Sequence, residues 1–383
     1  MIWQPFWTGL VVAIVGFFSS FPIFLAGVSA MGAEGDMAAS ALMSGAVSMG
    51  LAGLGLSLWF KIPASVAWST PGVALLAISS PDPAGFPAAV GAFMFAGALT
   101  VVAGLWPPLG RLAHAIPTAL TQAMLAGVLF SICIGPFRAL EDAPQIALPL
   151  LLTWFLVGRF TRLMAVPATV VVAVALILIV NGGALSAPEH IVTRPVLVWP
   201  VLSWPALIGL GLPLFIVTMA TQNIPGLSVL KANGYRPNTK SMFGTVGVFS
   251  ILSAPFGAAA TCVAAITAAM CTSDDAHPDP AQRYLAAVWA GVFYCLLGLF
   301  AGVMTHVASV APDAVLPVLA GLALLPVFMA SASEAWQDGT TREAAVITFL
   351  MTASGVTFLG LGAAVWGLIA GGGVHVVQRW RRA

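Results

Sequence analysis

The sequence predicts an all-α membrane protein: fourteen transmembrane segments in two inverted seven-span repeats, with short extended strands and half-helices in segments three and ten. Charge is the first reason. Lys and Arg number 14 and Asp and Glu 13 among 383 residues, so 7% of the chain is charged, against about 25% in soluble domains. Hydropathy is the second. Hydrophobic residues make up 60% of the chain and the mean hydropathy is +1.01, which leaves too little polar surface to face water and makes a bilayer the natural solvent. The third is a series of apolar runs of spanning length. At roughly 20 residues per span, fourteen spans leave room only for short connections, so the chemistry is expected inside the membrane.

Pro, Gly and charge clusters divide the first half, residues 1–181, into apolar segments at about 6–32, 37–60, 64–79, 85–106, 115–136, 143–158 and 164–181. A polar, proline-bearing external connection follows at 182–204. The second half, 205–383, then reads as segments at about 205–229, 239–254, 256–272, 283–307, 312–332, 342–359 and 360–378. Helix is expected throughout, because it is the only open form that satisfies every backbone group in lipid, and unbroken apolar runs lack the alternation of barrel strands. The first Lys or Arg is Lys61. The run from Phe6 to Met31 therefore lacks the basic region of a cleaved signal and reads as the first span.

With the N-terminus inside, twelve Lys and Arg fall in cytoplasmic loops, among them Lys61, Arg111, Arg159, Arg162, Lys231 and Arg283, and only Arg138 and Arg194 fall outside. Adding or dropping one span near the middle would destroy that split, so it supports the count and the direction together. Both termini are then cytoplasmic. An odd number of spans per half sets the halves in opposite orientations, as in inverted-repeat transporters. Ser20-Phe21-Pro22-Ile23 in the first span is echoed by Asn223-Ile224-Pro225-Gly226 in the eighth.

Segments three and ten are interrupted. In the third, an extended Ser65 to Trp68 meets Ser69-Thr70-Pro71-Gly72 and continues as a half-helix, Val73 to Ile78. The tenth is expected to repeat this, with Val248 to Leu252 extended, Pro255-Phe256-Gly257 as the break, and a half-helix from Ala258 to Met270. Backbone broken at membrane depth is tolerated only where protein or a water-filled cavity satisfies it, and paired interruptions mark a transporter's binding site. Free N–H groups at Thr70-Pro71-Gly72 and at Phe256-Gly257-Ala258 would converge near the midplane, in a pocket that favours an anion. The alternative is two re-entrant hairpins that only pack.

Polar side chains on the spans passing this point complete the candidate site. Gln222 and Asn223, with Thr221, stand inside an apolar helix, where an amide needs either a ligand or an interhelical partner. Ser19 and Ser20 lie among Phe17, Phe18 and Phe21. The candidate substrate-binding residues are Ser19, Ser20, Phe21, Ser69, Thr70, Gly72, Gln222, Asn223, Phe256, Gly257, Ala258 and Thr261.

Several function classes fall away. A net charge of +1 offers no basic patch for nucleic acid. No nucleophile, base and orienting acid share one depth, so an enzyme is not expected, and no cofactor is implied. Cys133, Cys262, Cys271 and Cys295 lack metal-ligand or disulfide spacing and read as small buried hydrophobes. In the loop Asp274-Asp275-Ala276-His277-Pro278-Asp279-Pro280 the prolines make a rigid turn rather than a metal site. Glu334, Asp338, Arg342 and Glu343 read as an interfacial charge network, and His114, His190, His277, His306 and His375 as loop or span-end groups. No Asp, Glu, Lys or Arg lies near the middle of any span, which argues for an anionic or neutral substrate over a cation.

Ser69-Thr70-Pro71-Gly72, Thr218 to Gly226 with Lys231-Ala232-Asn233-Gly234-Tyr235, Pro255-Phe256-Gly257, Ala264 to Ala269, His277-Pro278-Asp279-Pro280 and Arg342-Glu343-Ala344-Ala345 resemble the bacterial benzoate/proton symporter family over nearly the whole chain. The resemblance implies uptake of benzoate or a similar aromatic carboxylate with protons across the bacterial inner membrane. It implies a fold similar to the uracil permease and anion-exchanger group. In that fold a core domain (spans 1–4, about 6–107, and 8–11, about 205–307) moves against a gate domain (spans 5–7, about 108–181, and 12–14, about 312–378) that often mediates homodimerisation. The nucleobase permeases of that fold carry acidic residues in spans eight and ten. Here Thr221-Gln222-Asn223 and Gly257 to Thr261 stand instead, which favours a carboxylate over uracil or xanthine; a nucleobase permease, or another anion transporter or channel of the same fold, is the alternative.

Overall fold

The computed structural model describes residues 3–106, 117–181, 191–359 and 361–382; Arg111, His114 and His190 lie outside them. Among the described residues, eight helices are long and apolar enough to cross a membrane. In chain order the elements of the first half are α1 (Gln4–Phe18), α2 (Phe21–Ala30), α3 (Gly35–Phe60), β1 (Val66–Trp68), α4 (Thr70–Ile78), α5 (Phe86–Leu105), α6 (Thr118–Cys133), α7 (Gly135–Asp142), α8 (Pro144–Phe160) and α9 (Ala165–Val180). The second half has α10 (Trp204–Ala232), then α11 (Thr239–Ser253), β2 (Thr261–Val263), α12 (Ala265–Thr272), α13 (Tyr284–Leu299), α14 (Ala301–Ser309), α15 (Val315–Ala335), α16 (Arg342–Ala353) and α17 (Ala363–Arg382).

Two of these differ from the expectation. Val248 to Leu252 is helical, inside α11, because a β-branched and aromatic run in lipid satisfies its backbone better as helix than as an unpaired strand. The half-helix of segment ten starts at Ala265, not at Ala258. Ala254–Phe256 forms the 3₁₀ turn that ends α11, capped by Gly257 at φ +91, and the chain reaches β2 before it turns helical again. The first and eighth spans are both disturbed at mid-length. α1 and α2 are separated by a turn at Ser19 and Ser20, whereas α10 stays helical through π turns at Leu207–Gly211 and Met219–Asn223.

Packing pairs recur between the halves. α3 crosses α13, and α11 crosses α5; α2 lies on α4, and α10 on α12. Glycines set both of the long crossings. A Cβ on Gly50 would sit 2.6 Å from the Gly291 carbonyl and one on Gly291 2.7 Å from that of Gly50, while Gly97 and Gly247 face each other at 3.1 and 2.8 Å. Without hydrophobic drive between helices in lipid, such close backbone approach is what holds spans together. These helices form one group, and α6, α7, α8, α15, α16 and α17 form another, with α2–α15 and α4–α6 contacts joining them.

At the end of the first group that holds Lys61, Arg283 fixes the C-terminal end of α12. It donates to the Thr272 carbonyl, to the His277 carbonyl and to Asp274. Tyr235 donates to the Pro280 carbonyl at 2.9 Å, and burial pushes its hydroxyl above the ordinary tyrosine range, which keeps it a donor. His277 Nδ1 accepts from the Asp279 amide, so the loop is a turn, as its prolines imply. Among the described residues no cluster of His, Cys, Asp and Glu is arranged to hold a metal. Around the α15–α16 turn the acids bond chiefly to neutral groups: Gln122 donates to Glu334, Gln378 to Glu343 and Thr340 to Asp338, while Arg342 donates to the Trp336 carbonyl.

Candidate substrate-binding site

The two short strands pair antiparallel, with Val66 opposite Val263, Ala67 opposite Cys262 and Trp68 opposite Thr261. Backbone bonds extend the ladder at both ends, Ser69 N to the Ala260 carbonyl at 2.8 Å and Ala264 N to the Ser65 carbonyl at 3.1 Å. Each strand runs directly into its half-helix, so α4 and α12 leave the ladder in opposite directions with their N-termini at the crossing. The strands exist because each supplies the other's partners; unpaired, this backbone could not stand at membrane depth.

Side chains from the flanking spans satisfy what the ladder leaves open. A stripe at i, i+4 and i+8 on α3 faces segment ten: Ser40 and Ser44 donate to the Phe256 carbonyl at 3.0 and 3.1 Å, and Ser48 pairs with the Thr261 hydroxyl at 2.8 Å. Ser250 accepts from the Thr261 amide at 2.9 Å. Asn223, wholly buried on α10, accepts from the Val263 amide at 2.8 Å. In the matching break of the first span, Ser20 accepts from the Trp68 indole at 2.9 Å. The spacing of Ser40, Ser44 and Ser48 was the sequence signal for this scaffold, and it names residues that motif reading passed over.

The two helix tips differ. At α4, the Ser69 hydroxyl accepts from the Gly72 amide at 3.2 Å and from the Thr218 hydroxyl at 2.8 Å, a complete N-cap. At α12 the capping position is Ala264, which has no side-chain oxygen. The leading amides of α12 therefore keep no capping partner, and the positive end of its dipole stays open.

That open end meets a cavity of about 510 Å³. Ser19 and Ile266, the second residue of α12, line it together with Trp154 and Phe155, the exposed Arg159 and Arg162, and apolar residues of α9 and α15. Among the described residues no acidic side chain lines it. A second cavity of about 450 Å³, lined by Ile23, Ala77, Ser131 and Asp313 among others, lies between α2, α4 and the other helix group.

Of the residues chosen from the sequence, Ser19 lines the cavity, and Ser20, Ser69, Asn223 and Thr261 sit in the crossing as structural partners. Thr70 and Gln222 are half-buried, and Gln222 makes no hydrogen bond among the described residues. Gly72 packs on Leu214. Phe21 stacks on Phe17 with ring centroids 6.0 Å apart. Phe256, Gly257 and Ala258 stand apart from the tip of α12, beside α3 and the connection at Val198, which donates to the Pro255 carbonyl. Sequence reading missed the convergence of Trp154, Phe155, Arg159 and Arg162 on Ser19, because it joins α8 to α1 through space.

The family model described as benzoate membrane transport protein (BenE) matches residues 4–377. The chain is 37% identical over 372 residues to the inner membrane protein YdcO of Escherichia coli, covering 96% of this chain and 94% of that protein. It is 33% identical over 328 residues to the benzoate membrane transport protein of Acinetobacter baylyi, covering 85% and 83%. In fold it is similar to the transmembrane domain of the cyanobacterial bicarbonate transporter BicA, with a TM-score of 0.65 over 97% of each chain at 15% identity.

Proposed function

The chain belongs to the benzoate membrane transport protein family, and from that premise we propose that it imports benzoate or a related aromatic carboxylate together with protons, by alternating access, across the bacterial inner membrane. One observation carries the reading: the uncapped tip of α12 opens into a cavity lined by aromatic and cationic groups and, among the described residues, by no acid. A carboxylate at that tip accepts from backbone amides and from Ser19, while its ring lies against Trp154 and Phe155. Each charge-assisted bond contributes about 1.5–3 kcal/mol, or roughly a ten- to hundredfold change in affinity. With no acid in the cavity, the proton enters with the carboxylate.

The finer architecture belongs to the same reading. We take the α4 and α12 crossing as the midplane of fourteen spans in inverted repeats, with both termini cytoplasmic; the recurring packing pairs and matched glycine contacts support it. The first helix group is the core, which slides in an elevator motion against the second, the gate. The gate also pairs two copies into a homodimer.

Uptake of radiolabelled benzoate into proteoliposomes tests this. Accumulation that rises with an inside-alkaline pH gradient, and is displaced by other aromatic acids but not by uracil or xanthine, is the expected result. Uptake indifferent to the gradient removes the symport, and displacement by nucleobases replaces the substrate.

A further inference from the structure

We propose that Arg159 and Arg162 form a carboxylate-binding site at the cytoplasmic mouth of the cavity, which holds an aromatic acid anion between the tip of α12 and the cytoplasm as it leaves or re-enters the carrier. This deepens the functional reading above and rests on it. α8 ends at Phe160, Thr161 is extended at φ −143 and ψ 103, and Arg162 opens the 3₁₀ turn that leads to α9. The change of backbone direction between them lets both residues line one cavity.

Their surroundings separate them from the structural arginine of this protein. Arg283 is nearly buried and spends its donors on two carbonyls and Asp274. Arg159 and Arg162 are exposed and have no acidic partner among the described residues. Guanidinium presents a planar fork that matches a carboxylate. Trp154 and Phe155 stand within two helical turns of the pair and line the same cavity. A ligand with one carboxylate and one ring meets cation, aromatic side chains and apolar lining in one cavity. Opposite charge at a low-dielectric mouth raises local substrate concentration and on-rate, and salt weakens it over about 8 Å at physiological strength.

The test compares the full-length wild type with R159Q/R162Q and R159K/R162K, in membrane vesicles of both orientations, from initial benzoate rates at low and high salt. Loss of the pair should raise KM about tenfold from the arginine-bearing side and abolish its salt dependence, while KM from the opposite face stays within about twofold. The lysine pair should keep the salt dependence with an intermediate KM. An unchanged KM from both sides, with only the inserted amount reduced, overturns the proposal and makes the pair a lipid-facing anchor. If the double glutamine variant fails to insert, R159Q and R162Q singly, normalised to inserted protein, give the same decision. A wild type that moves no aromatic acid in either orientation removes the functional reading and this inference with it, an outcome visible before any variant is made.

Discussion

The two half-helices at the centre of the molecule share a ladder and differ in their caps. α4 starts from Ser69, whose hydroxyl is tied to the Gly72 amide and to Thr218, so its tip is closed by the protein itself. α12 starts from Ala264 and leaves its leading amides to whatever enters the cavity. Two half-helices can thus supply two dipole ends and use them unequally: one holds the crossing together, and in the proposed reading the other meets the anion.

Asn223→Ala should break the comparison most severely. It strips the Val263 amide of its partner in a wholly buried place, at a cost of about 1–3 kcal/mol. A thermal-unfolding scan in detergent should show the lowered midpoint, with uptake lost in parallel. Midpoint and uptake equal to wild type would show that Asn223 does not hold β2.

Next comes Gly226→Ala. Its Cβ would meet the Val263 carbonyl at 2.7 Å, and overpacking of this kind costs about 1–3 kcal/mol. Transport should fall further than stability, because the displaced strand carries α12. The two falling in proportion would argue that the strand is ordinary packing.

Ser69→Ala removes a cap and orphans the Thr218 hydroxyl, for about 1 kcal/mol. Benzoate affinity, read from KM in proteoliposomes, should change little. A KM rise as large as that of an α12 tip variant would overturn the division of labour between the tips.

The smallest effect on stability, and the sharpest on the comparison, is expected for Ala264→Ser. The new hydroxyl would cap α12 and stabilise by about 0.5–1 kcal/mol, yet occupy an amide meant for the carboxylate and raise KM severalfold. A more stable carrier with unaltered KM would move the substrate away from α12.

Reading the sequence alone found α4 and missed the start of α12, for physical reasons. Ser69-Thr70-Pro71-Gly72 combines an N-cap hydroxyl with a proline in the first turn, and both mark a helix start. Pro255-Phe256-Gly257 has the same grammar but closes α11, and the true start at Ala264-Ala265 has no polar residue to announce it. In the proposed reading the missing signal is the functional feature itself, since a cap legible in sequence would close the tip. Asn223 and Thr261 were chosen as substrate-binding residues, and their polar atoms are bonded within the crossing, to the Val263 amide and the Ser48 hydroxyl. Ser19 was chosen for its hydroxyl, but the aromatic wall that faces it comes from α8, and no periodicity within one helix reports a neighbour so far along the chain.

The three-residue ladder between β1 and β2, lengthened by the Ser69–Ala260 and Ala264–Ser65 bonds, fastens the two halves of the chain to each other at their most delicate point. Neither tip can tilt alone without tearing several main-chain bonds at a depth where water cannot replace them. In the proposed elevator reading, a passenger held there sees both sides of the bilayer only if its whole cradle is displaced, so selectivity acquired on one side is delivered unaltered to the other.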